Sequence, residues 1–174
     1  MTRAADCPLC ESDGGVVVWR NAALRVVLPD EPDYPGFCRV IWEDHVAELS
    51  DLDAPSRGQL FDAIVVVERV LRAHLACDKV NVASLGNMVA HQHWHVIPRF
   101  RDDAHFPQSV WSARQREVAP DVLTARRARA ATVGIALRDA LDNALRRAPE
   151  HREGVRYARQ AHVLDDAETE QEPE

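Results

Sequence analysis

Histidines stand at every second position, His91, His93 and His95, within the run from Asn87 to Phe100. Trp94, Val96 and Ile97 among them favour extended backbone. Side chains on a strand alternate faces, so the three imidazoles are expected on one side, about 6.6 Å between sequence neighbours, with Pro98 closing the strand. Packing explains such a row poorly, because each ring carries two nitrogens that need partners when buried. A neutral imidazole can act as a nucleophile through one nitrogen while the other is held, and a second ring beside it can move a proton. Two imidazoles at i and i+2 can instead ligate one metal, with a third donor completing an open catalytic site. The plain alternative is a half-exposed polar strand face.

A second group with chemistry is the pair in Cys7-Pro-Leu-Cys10. Four cysteines, these two with Cys38 and Cys77, do not suggest a disulfide framework in a chain with no secretory pattern at its start. The Cys-x-x-Cys spacing lets two thiolates grip one zinc, and it equally suits a redox pair or two idle thiols. Zinc would require two further ligands.

The run His91-Gln-His93-Trp-His95-Val-Ile resembles the signature of the histidine triad (HIT) family of nucleotide hydrolases and transferases, and features upstream extend the resemblance over about the first two thirds of the chain. The resemblance implies a structural zinc held by Cys7, Cys10, His45 and His91, a closed Cys₂His₂ set, leaving His93 and His95 for catalysis. It implies that Asp30 binds the ribose hydroxyls with Leu28 facing the base, and that Asn81 and Asn87 hydrogen-bond the phosphate and leaving group. An aspartate or asparagine at those positions also suits turn chemistry alone. Three departures are visible. Gln92 stands where a hydrophobic spacer is usual, Phe37 where many members carry a further histidine, and Met88 where a serine often follows the asparagine.

The implied reaction is two-step transfer at the α-phosphorus of a substituted nucleotide, a nucleoside phosphoramidate or a dinucleoside polyphosphate. Neutral His93 attacks, its other N–H held by a main-chain carbonyl, and a covalent nucleotidyl-histidine forms. His95 contacts the phosphate oxygens or passes a proton to the leaving group, and water releases the mononucleotide. No catalytic metal is required. Two other readings stay open: a nucleotide-binding protein without turnover, prompted by the changes at Phe37, Met88 and Gln92, and a metal-dependent hydrolase that uses the strand histidines as ligands.

The elements that must position these groups can be read in order. Val16 to Trp19 and Leu24 to Leu28 form a hairpin, the proline-rich segment 29–36 is a loop, and Phe37 to Trp42 is a third strand. Ser50-Asp51 is expected to cap a helix from about Pro55 to Cys77, with Leu60, Ile64, Val67, Leu71 and Leu75 on its core stripe. Lys79 to Ala83 is a short strand that turns into the histidine strand. The irregular segment 101–111, with Asp102, Asp103, His105, Pro107 and Trp111, resembles the stretch that closes over the pocket in some bacterial members of the family; His105 either reaches the site or is a plain loop histidine, the commoner case. From about Thr124 to Arg147 an alanine- and arginine-rich stretch with Ile135, Leu137, Leu141 and Leu145 reads as one amphipathic helix that either packs on the core or makes a dimer contact. The fold class is α+β, an antiparallel sheet of about five strands with a long helix packed on it and a helical carboxy-terminal extension. The divisions expected are 1–112 for the HIT-like catalytic domain, 113–162 for the helical extension and 163–174 for an acidic disordered tail.

Bulk composition excludes several classes. The chain has 174 residues, 46% of them hydrophobic, enough for one full core. Lys79 is the only lysine, and no glycine-rich loop ending in Lys-Ser or Lys-Thr is present, which leaves an ordinary P-loop ATPase unsupported. Of the net charge of −7, six acids lie after Leu164, and the remaining body is near neutral. A nucleic-acid surface is therefore not expected, and the arginines at 126, 127, 129, 138, 146 and 147 read as a solvated helix face. No apolar run approaches the roughly 20 residues of a membrane span. The expectation is a soluble cytoplasmic protein, a possible homodimer, whose small-molecule partner is a purine nucleotide.

Overall fold

The computed structural model describes residues 2–145. Five strands, β1 (Val16–Arg20), β2 (Leu24–Leu28), β3 (Cys38–Trp42), β4 (Lys79–Ala83) and β5 (His93–Arg99), form one antiparallel sheet in the order β1-β2-β3-β5-β4. The β1–β2 turn is set by Asn21, whose Oδ1 accepts from the backbone N–H groups of Ala23 and Leu24, both at 2.9 Å. The histidine strand β5 lies between β3 and β4, its register pairing His93 with Ile41 and His95 with Arg39. It runs through Pro98 to Arg99 rather than ending at the proline. Beyond Val96, β5 has a partner on one side only, and an unpaired edge tolerates a residue that lacks an N–H.

Alternation gives the sheet two unlike faces. One carries Val26, Val40, Val80, Trp94 and Val96 and is covered by α2 (Ala54–Leu75), which buries Leu60, Ala63, Ile64, Val67, Leu71 and Leu75 against it. The cap of α2 is Asp53, which accepts from the Ser56 N–H at 2.8 Å, while Ser50 and Asp51 belong to a 3₁₀ turn just before it. The other face is covered only at its margins. The short α1 (Pro8–Glu11) lays Cys7, Leu9 and Cys10 on Val27 and Ile41, and Tyr34 and Phe37 close on Ile97. The histidines of β5 lie between these two small clusters.

The carboxy-terminal stretch forms two helices, α3 (Pro120–Ala130) and α4 (Val133–Leu145), rather than one from Thr124. Pro120 opens α3 at its first turn, where a missing N–H costs nothing. After the break, Val133, Leu137 and Leu141 enter the main core against α2 and β1, whereas Ile135, expected on the stripe, is exposed. Gly134 allows the close approach, since a Cβ there would sit 3.2 Å from Val18. Arg127, Arg129 and Arg138 are exposed, as expected of a solvated face, and Arg126 alone of the four is buried. Arg126 is buried over the Phe100 ring and donates to Asp102 at 2.6 Å, Arg127 donates to the Pro32 carbonyl, and Arg138 to that of Val18. Arg146 and Arg147, the rest of the expected extension and the acidic tail lie outside the described residues.

Candidate active site and metal cluster

His91 precedes β5 and is turned toward the amino terminus. Its Nε2–H donates to the Trp42 carbonyl at 2.7 Å, which directs the Nδ1 lone pair at the thiols of Cys7 and Cys10, at 3.5 and 3.6 Å. His45 reaches Cys10 Sγ at 3.5 Å, and one donor atom from each of Cys7, Cys10, His45 and His91 lies within 4.8 Å of every other. Arg25, only 2% exposed, donates to the Leu9 carbonyl at 2.7 Å and pairs with Glu43 at 3.1 Å, fixing α1, which carries Cys10. Burial pushes the Cys10 thiol above its ordinary value, so a cation that displaces the proton would find a closed set of four donors. A carbonyl holding the remote nitrogen of a ligand histidine is the usual outer-shell arrangement of zinc sites.

His93 and His95 sit beside this cluster. The Nδ1–H of His93 donates to the His91 carbonyl at 2.6 Å, which fixes the tautomer and leaves Nε2 with a free lone pair. The same residue that completes the donor cluster thus orients the next imidazole. The rings of His93 and His95 meet edge to face at 5.0 Å between centroids. Phe37 and Trp111 also pack edgewise on His95, at 5.6 and 5.1 Å. Its Nδ1 is buried with no hydrogen-bond partner. Burial, with smaller contributions from His93 and Arg39, pushes His95 down to about 4, so the ring is neutral at neutral pH.

Both histidines line a cavity of about 500 Å³, with Asn87, Arg39 and Trp111 on its walls and Leu85 and Met88 at its rim. Met88 is 95% exposed. Of the expected substrate residues, Asn87 is therefore beside the histidines. Asn81 lines a neighbouring cavity that shares Trp111, and its side-chain oxygen accepts from Arg99 at 2.6 Å. Leu28 and Asp30 line a third cavity of about 320 Å³ with Pro32, Tyr34 and Arg127, and Phe37, which touches His95, forms part of its wall. His105 does not join the histidine cavity: it stacks on Tyr34 and hydrogen-bonds its hydroxyl. Trp111 from the same segment reaches the site instead. Trp111 was legible only as part of the segment expected to close over the pocket, and Arg39 was not legible as a site residue, although an arginine between Cys38 and Val40 in a strand otherwise apolar is a visible oddity.

The HIT domain model matches residues 13–102, just over half of the chain. The chain belongs to the HIT family. The HIT fold extends to solved structures: a histidine triad protein from Bradyrhizobium japonicum is 27% identical with a TM-score of 0.57, covering 74% of this chain and 98% of that one. Another, from Marinobacter aquaeolei VT8, shares the fold with a TM-score of 0.59 over 76% of this chain and 92% of its own, at 21% identity. An AP-4-A phosphorylase of Mycobacterium tuberculosis is 32% identical over 107 residues, 58% of this chain and 55% of that protein. This HIT chain spans about half the length of the curated relatives it matches.

Proposed function

We propose that the chain is a nucleotide hydrolase or nucleotidyl transferase that acts at the α-phosphate of a substituted nucleotide through a covalent nucleotidyl-His93. The observation that carries this reading is the hydrogen bond from His93 Nδ1–H to the His91 carbonyl, which presents Nε2 as a nucleophile at the wall of a cavity. In the first step the Nε2–phosphorus bond forms as the bond to the leaving group breaks, with the electron pair departing on that group. His95, neutral in the free protein, gains proton affinity when an anionic phosphate lies beside it, and hands a proton to a leaving group that needs one. Asn87 holds a phosphate oxygen, and Leu28, Asp30 and Asn81 are assigned to the rest of a purine nucleotide. In the second step the oxygen of water attacks phosphorus, the proton of that water passes to His95, and the Nε2–phosphorus bond breaks with its electron pair returning to His93.

A second reading of that step, with inorganic phosphate as the acceptor in place of water, is favoured by the name of the mycobacterial relative. The strand histidines as ligands of a catalytic metal find no third donor beside them among the described residues; the donor cluster there is Cys7, Cys10, His45 and His91. That set fits structural zinc by donor type and spacing, and zinc would there tie the amino-terminal turn to the loops before α2 and β5. The deciding experiment uses substrate labelled at the α-phosphate, quenched early and mapped by peptide analysis at alkaline pH. Label is expected on His93 and none in His93→Ala; undiminished turnover in that variant, or label on another residue, sinks the assignment.

A further inference from the structure

Arg39 stands on β3 directly across the ladder from His95, whereas Ile41 stands across from His93. The guanidinium is thus on the side of the proton-handling histidine rather than of the nucleophile. It lines the histidine cavity and is the one permanent cation among the described residues that do so. Its hydrogen-bonding capacity is incompletely used. Nε is buried without a partner, and Nη2 comes no nearer than 3.6 Å to the Glu31 carboxylate, beyond the usual reach of a charge-assisted hydrogen bond. The Phe37 ring lies 5.9 Å from its guanidinium carbon. A buried donor left unpaired is costly, and a planar fork of donors facing a cavity matches phosphate oxygens two at a time.

We propose that Arg39 is the cation of a phosphate subsite beside His95 that holds the polyphosphate chain of an anionic leaving group, so that the substrate class is a dinucleoside polyphosphate rather than a nucleoside phosphoramidate. This deepens the nucleotidyl-transfer reading and rests on it. In an in-line displacement the leaving group departs on the side of phosphorus away from the attacking nitrogen. An amine leaving there needs a proton and no cation. A nucleoside polyphosphate leaves with the electron pair on its bridging oxygen, carries several negative charges, and gains from a fixed guanidinium as that charge develops. Glu31 holds the fork loosely until phosphate takes its place.

The test compares wild type, Arg39→Gln and Arg39→Lys in calorimetric binding of ATP and AMP, and in turnover of diadenosine tetraphosphate against an adenosine phosphoramidate with a neutral amine. Loss of a charged hydrogen bond predicts ATP binding weaker by about tenfold to a hundredfold in Arg39→Gln, with AMP changed by less than about threefold. The same split is expected in kcat/KM between the two substrates, and Arg39→Lys should recover part of it because charge returns without the fork. Equal losses for ATP and AMP, or none, overturn the subsite. Should Arg39→Gln fail to fold, Arg39→Lys is read alone by the same criterion, an ATP loss exceeding the AMP loss. Failure of wild type to form any His93 adduct would sink nucleotidyl transfer, while the ATP-to-AMP contrast still decides what Arg39 binds.

Discussion

At the scale of single residues, the consequential fact is that three similar histidines have three environments. His91 points its Nδ1 at two thiols, His93 is held by the His91 carbonyl, and His95 has a buried Nδ1 with no partner. For His95 the environment has a measurable cost. Its pKa is near 4 folded against about 6.5 unfolded. Between those values the unfolded chain binds the extra proton, so stability falls as pH drops through that window and this contribution stops changing below it. Wild type should lose about 2 kcal/mol more than His95→Gln between pH 7 and pH 5 in urea unfolding. Parallel pH profiles for the two proteins would show that His95 is not held neutral by its surroundings.

At the scale of elements, the segment after β5 reaches the site because a buried ion pair anchors its beginning. Asp103 accepts from Arg99 at 2.7 and 3.1 Å and from the backbone N–H groups of Phe100, His105 and Phe106, and both charged side chains are almost fully buried. Burial pushes the Asp103 carboxyl up, and the Arg99 bond with the backbone donors outweighs it, so the net shift is downward. A depressed carboxyl contributes stability above its unfolded value near 3.9 and loses it as pH falls through the folded value. Asp103→Asn leaves Arg99 buried without its counter-charge and should destabilise by about 3–5 kcal/mol. Backbone hydrogen exchange around Ala104 to Trp111 should rise as well. A variant with wild-type stability would mean that the segment is anchored elsewhere. The helix cap is a smaller matter: Asp53→Ala should cost about 1 kcal/mol, and Ser50→Ala nothing measurable.

At the scale of the whole molecule, both termini of the described chain are tied to the sheet, one on each face. Leu137 and Leu141 of α4 are fully buried in the same core as α2, and Trp19 of β1 donates to Asp142 at 2.7 Å. Leu141→Ala should therefore cost about 2–5 kcal/mol and shift a single unfolding transition. A separate early transition, with the rest unmoved, would mean that the extension folds apart from the core. On the opposite face the proposed zinc predicts about one metal per chain by elemental analysis, with thermal stability lost in Cys10→Ser because site assembly contributes folding energy. A metal-free wild type of unchanged stability would remove zinc from the account and leave the four donors as a polar cluster. No helix among the described residues is long and apolar enough to cross a membrane.

What the sequence by itself determined is whatever repeats with a short period or depends on neighbours along the chain. The alternation of β5, the three- and four-residue spacing of α2 and the asparagine turn of the first hairpin are of this kind, and the sheet and its long helix were legible from them. The triad signature also makes His93 and His95 stand out from the amino-acid order alone. Only the tertiary structure decided which loops meet. It set His45 beside Cys10, split the last helix so that Val133 rather than Ile135 enters the core, and sent His105 to Tyr34 while Trp111 went to His95. It also set Arg39 across from His95, since strand register depends on two segments far apart in the chain. Contacts between distant segments are chosen by burial and hydrogen-bond satisfaction over the whole core, and no local pattern encodes that choice.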